Sequence, residues 1–173
     1  MDLPQNWPED SSPVEIAPGL YTPRDAQINT GPLRDMGLDG YGLWIRATLD
    51  DRLQYAPTFV GVESHWGGPI NGTILRRVPV ALLLAVETRG LPMLKLPEHG
   101  WWPFEYVESS SPERRGPLLA ADDLLNVARI YAYQHAIGGK PAHEVARILD
   151  IPRSTADYWI RRAKDKGLIY AEA

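Results

Sequence analysis

In this chain of 173 residues, the side chains best spaced for chemistry lie near the C-terminal end. Ser154, Tyr158 and Arg161 stand at i, i+4 and i+7, so on a helix they form one row along one face. Arg161 carries a planar fork that can donate two hydrogen bonds to O6 and N7 of a guanine. Ser154 and Tyr158 can reach a base edge or a phosphate. Asp157, on the same face, can accept from a cytosine amino group or orient a neighbouring arginine. These four are the base-contact candidates. Arg153, Thr155, Arg162, Lys164 and Lys166 flank the row and Lys140 precedes it, which makes them the candidates for phosphate contacts.

Other constellations are weaker. His65, His99, His135 and His143 are scattered, without the spacing of a metal site. Asp50-Asp51 suits a hairpin turn better than a catalytic pair. Glu63-Ser64-His65 cannot form a triad from neighbouring strand positions, whose side chains point to opposite faces. Gly67-Gly68-Pro69 lacks the Lys and Ser/Thr of a phosphate loop. The absence of cysteine excludes disulfides and thiol catalysis. No enzymatic activity, metal or cofactor is expected. No run approaches the roughly 18 apolar residues of a membrane span, and the first 20 residues show no secretory pattern. A cytoplasmic, nucleoid-associated location without a membrane partner is the expectation.

The elements that must position the C-terminal row follow from apolar spacing. Ala156, Trp159, Ile160 and Ala163 predict the buried stripe of a helix over 152–166, with Gly167 to end it. Leu124, Val127, Ala128 and Tyr131 predict a helix over 122–137, stopped by Gly138-Gly139. Between them, Pro141 opens a short helix to Leu149, and Asp150-Ile151 forms a tight corner. Val145, Ala146, Leu149, Ile151, Ala156 and Trp159 place apolar and small residues where two helices meeting at such a corner must touch. The stretch HEVARILDIPRSTADYWIRRAKDKGL, residues 143–168, resembles the helix-turn-helix segments of bacterial and phage DNA-binding proteins, and looks most like those of small regulators from actinobacteria and their phages. INGTILRRVPV, from Ile70 to Val80, resembles a stretch upstream of that unit in such proteins. The specific likeness covers residues 121–169. It departs from the pattern at Asp150, where Gly is usual, and at Pro152, where Ser or Thr often caps the second helix. Asp tolerates positive φ better than most residues.

Upstream, residues 1–20 hold Pro4, Pro8, Pro13 and Pro18 and read as a flexible arm, on which Trp7 could dock against the body. Residues 43–50 alternate as a strand. A turn at Asp50-Asp51 leads into a second strand up to Val62, with Pro57 marking an edge or bulge. A Gly-rich loop spans 65–72. Residues 73–89 read as helical, broken or kinked at Pro79. Leu82–Val86 is either core or a dimer face. Residues 92–107 read as extended and aromatic, with Trp101-Trp102-Pro103-Phe104 expected in the core. Residues 108–117 contain no apolar side chain, so a linker is placed at 108–120.

The predicted organisation is therefore α+β. A flexible Pro-rich arm (1–20) precedes a small β-rich α+β domain that serves dimerisation (21–107). The linker tethers to it a three-helix helix-turn-helix domain (121–173). Charge follows the same division: 10 basic and 15 acidic residues up to 120, then 8 basic and 7 acidic. An acidic body with a basic end implies local contact with a polyanion. The expected function is sequence-specific binding of double-stranded DNA by a homodimeric transcriptional regulator, with any small-molecule effector unspecified. The rivals are a phage DNA-packaging or recombination accessory and a protein-interaction module that binds no DNA.

Overall fold

The computed structural model describes residues 3–31, 33, 37–98, 100–104 and 121–171. The fold is mixed α+β, with two antiparallel sheets. In the first, β1 (Pro13–Ala17), β2 (Leu20–Pro23), β6 (Met93–Leu96) and β7 (Gly100–Pro103) lie in the order β1-β2-β6-β7. In the second, β3 (Asp25–Thr30), β4 (Tyr41–Leu49) and β5 (Tyr55–Ser64) form a meander with β4 in the centre. Five helices lie among the described residues: α1 (Gly72–Arg77), α2 (Val80–Glu87), α3 (Ala121–Ala136), α4 (Pro141–Ile148) and α5 (Arg153–Asp165).

Strand β4 shows why the meander holds its register. Leu43, Ile45, Ala47 and Leu49 point inward and are buried, while Trp44 and Arg46 point outward. The hairpin to β5 is closed by Asp50, whose Oδ1 accepts from the backbone N–H groups of Arg52 and Gln54, both at 2.9 Å. β5, like β3, is an edge of the sheet, and the pairing with β4 shifts register beside Pro57, which has no N–H to give a ladder. Tyr55 ties the two sheets together. Its hydroxyl donates to the Pro23 carbonyl at 2.6 Å and meets Thr22 Oγ1 at 2.8 Å, and burial pushes its ionisation well above the ordinary range.

The helical stretch breaks where Pro79 predicts. α1 ends at Arg77 and α2 begins at Val80. Asn71 caps α1, its side chain accepting from the N–H groups of Thr73 and Ile74.

Two expectations need correction. Residues 3–20 are not a loose arm. Ile16, Ala17 and Leu20 are buried, β1 pairs with β2, and Trp7 is buried with its indole N–H on the Leu91 carbonyl at 2.8 Å. Prolines at 13 and 23 sit at strand ends, where a missing N–H costs little. Nor are the C-terminal helices a separate head. α3 packs on β1 and shares one continuous core with both sheets. Arg129 donates to the Pro18 carbonyl at 2.9 Å, Tyr133 to that of Arg89 at 3.2 Å, and His135 meets that of Arg52 at 2.7 Å. Phe104, buried, packs its ring 5.1 Å from that of Tyr133. The linker placed at 108–120, and His99, lie outside the described residues.

The aromatic run divides. Phe104 is core, and Trp101 lies between Trp7 and Tyr21 at 5.3 and 5.6 Å. Trp102 is about half exposed. α2 divides as well: Leu83 and Leu84 are buried, while Leu82 and Val86 face out.

Candidate nucleic-acid interface

The three C-terminal helices pack on one another, and their ends share one device. After α3, Gly138 takes positive φ, and Gly139 N–H bonds the Gln134 carbonyl at 2.8 Å. After α5, Gly167 does the same, with Leu168 N–H on the Ala163 carbonyl at 2.9 Å. At the corner between α4 and α5 this place belongs to Asp150, with φ of 51°. Ile151 N–H closes on the Ala146 carbonyl at 3.0 Å, and Asp150 N–H on that of Arg147 at 3.3 Å. This paired closure satisfies two end carbonyls and turns the chain sharply into α5.

α5 then faces both ways. Ala156, Ile160 and Ala163 are buried. Trp159, placed in the inner stripe by its spacing, is only partly buried. Tyr158 lies edge-on to it at 5.3 Å and the Arg162 guanidinium stands 5.3 Å over its ring. Outward, Ser154, Asp157, Tyr158 and Arg161 are all exposed. Arg161 makes no ion pair with any described residue.

The candidate phosphate contacts separate into groups. Arg153 is held by Asp157 through a 3.0 Å bond, so this acid orients an arginine. Arg162 stacks on Tyr158 and Trp159. Lys164 turns back over the Tyr131 ring of α3 at 5.2 Å and leaves the outer row. Thr155 is partly buried. Lys166 and Lys140 are exposed. The first two amides of α5, those of Arg153 and Ser154, have no acceptor among the described residues, because Pro152 at the cap offers no side-chain acceptor and the first turn holds no acid, while the Thr155 N–H closes on the Pro152 carbonyl at 2.9 Å. Open amides at a helix start favour an anion.

Lys140 belongs to a cleft of about 660 Å³ with Arg89, Tyr133, His143, Glu144 and Arg147. Glu144 accepts from Arg147 at 2.8 Å and meets His143 at 3.1 Å. Burial works to raise its pKa, but these two partners outweigh it and hold the carboxyl below its usual range. Spacing along the sequence pointed to Lys140 alone. Arg89 follows α2 and reaches the cleft only through tertiary packing, which no local pattern encodes. His143 and Arg147, one turn apart on α4, carried a local signal in their i, i+4 spacing.

No metal-binding cluster of His, Asp or Glu occurs among the described residues, and none of their helices is long and apolar enough to cross a membrane. No protein-family model, no curated protein and no solved structure matches the chain.

Proposed function

We propose that this chain is a sequence-specific DNA-binding protein of helix-turn-helix type, a transcriptional regulator that lays α5 in the major groove. One observation carries the reading. α5 buries Ala156, Ile160 and Ala163 while it presents Ser154, Tyr158 and Arg161, which has no ion-pair partner among the described residues, in one outward row, behind a corner tight enough to hold α4 against it. In this reading Arg161 reads a guanine, and Tyr158 and Ser154 reach a base edge or a phosphate. Asp157 positions Arg153. Lys166, Lys140 and the open amides of α5 meet the backbone.

The test is selection of binding sites from genomic DNA with the purified full chain. A discrete site supports the reading. Binding everywhere without preference would instead favour an accessory to packaging or recombination, and no binding would favour a protein-interaction module. Because α3 is bonded to the sheet body at three carbonyls, a two-site operator should tolerate no change of spacing. One inserted base pair should abolish cooperative binding, since it turns one half-site by about a tenth of a helical turn.

A further inference from the structure

α2 is apolar on every side. From Val80 to Val86 it carries no charge, yet only Leu83 and Leu84 are buried. Leu82 is 55% exposed and Val86, one turn on, 44%. Leu75 of α1 is 53% exposed. A helix apolar all round is ordinarily enclosed, so half of α2 lacks the cover its composition calls for.

The strand beside it has the same character. β5 packs against α2 and has no strand on its far side among the described residues. From Tyr55 to Val62 it carries no charge, and Phe59 and Val60 are 52% and 41% exposed. His65 N–H bonds the Gly40 carbonyl, so alternation along the strand turns the main-chain groups of Val62 and Val60 to the open edge. Folded chains usually blunt such an edge with Lys or Glu, and here, between Tyr55 and Val62, only Pro57 and the register shift beside it do so.

We infer that this face binds a second copy of the chain, β5 pairing antiparallel with β5 across a two-fold axis and α2 lying against α2. Three features favour a copy over another partner. Neither α2 nor β5 opposes like charges when laid against itself. The charges that flank the face have opposite sign, Arg76 and Arg77 before α2 and Glu87 at its end, so antiparallel pairing brings acid toward base. Leu75, Leu82, Val86 and Val60 offer on the order of 300 Å² of apolar surface, and the edge backbone and Phe59, which lies on the opposite side of the strand beside Arg46, add to it, toward the roughly 800 Å² per partner of a standard interface. The inference names the partner of the proposed regulator. Its need for two half-sites rests on that reading, whereas the surface itself does not.

Light scattering of the full chain at micromolar concentration, without DNA, tests it. The wild type should have twice the 19.4 kDa chain mass. Leu82→Glu and Val60→Lys, both at exposed positions, should each weaken association about 100-fold with an unchanged circular dichroism spectrum. Glu87→Arg should weaken it about fivefold, and Arg76→Glu added to Glu87→Arg should restore it. A wild type that stays at the chain mass, or Leu82→Glu and Val60→Lys variants that associate as tightly as the wild type, overturns the inference. Failure to bind DNA by a chain that still dimerises would overturn only the DNA reading.

Discussion

Helices α2 and α5 are both half-buried, and they treat water oppositely. α5 covers its outer side with Asp157, Arg161 and Arg162 and loses nothing by staying wet. α2 turns Leu82 and Val86 outward, where solvent gains nothing from them. One exposed face is suited to exchange counterions, the other to exclude water. Reversible contact with DNA suits the first, and a lasting contact between like chains suits the second.

The comparison breaks first at the inner side of α2. Leu84→Ala should lower stability by about 2–5 kcal/mol in urea unfolding, as core truncations do. Leu82→Ala, examined at concentrations where the chain is monomeric, should stay within about 0.5 kcal/mol of the wild type. Equal losses would mean that Leu82 is enclosed within the single chain.

On α5 the contrast lies between specificity and affinity. Arg161→Ala should leave the unfolding midpoint unchanged and cost about 1–3 kcal/mol of discrimination at one base position, measured by competition between site variants. Lys166→Ala should weaken all sequences alike and reduce the salt slope by about one unit. If Arg161→Ala affects random and selected DNA equally, Arg161 is a backbone contact.

Smaller effects sharpen how the corner is held. Asp150→Gly should stabilise by about 0.5–1 kcal/mol, because glycine takes positive φ without the clash of a Cβ. An unchanged or lower melting temperature would show that the Asp150 side chain contributes a compensating bond. Smallest is Glu144, whose native pKa is depressed. Its contribution is present above the unfolded carboxylate pKa and is lost as pH falls through the native one. Glu144→Gln should therefore cost a few tenths of a kcal/mol near neutrality, the usual worth of an exposed pair on a helix, and nothing in acid. An equal cost at both pH values would assign the effect to packing.

The helices were legible because their signals are local. Apolar residues at 3.6-residue spacing and glycines at 138 and 167 placed α3, α4 and α5 within a residue or so of their observed ends. β4 was legible through its alternation. β1 and β2 were not, since strands of five and four residues are too short for a period to rise above four nearby prolines. The row Ser154, Tyr158, Arg161 could be read from the chain. The diversion of Lys164 onto Tyr131 could not, and neither could the arrival of Arg89 beside Lys140, because both depend on packing between distant segments. The docking of α3 was hidden for the same reason: its partners are Pro18, Arg52 and Arg89, from three separate turns.

That docking also sets the order in which the molecule can be completed. Arg129 and Pro18 are separated by 111 positions, and β1 finds its covering helix only when α3 has been synthesised. Bringing such remote segments together costs loop entropy before any contact rewards it. The strand-rich body must therefore wait, with the surface that α3 will cover still open, while the rest of the chain emerges. In the cell this is the interval in which a nascent copy is most exposed to chaperones and to mispairing with a neighbour on the same message.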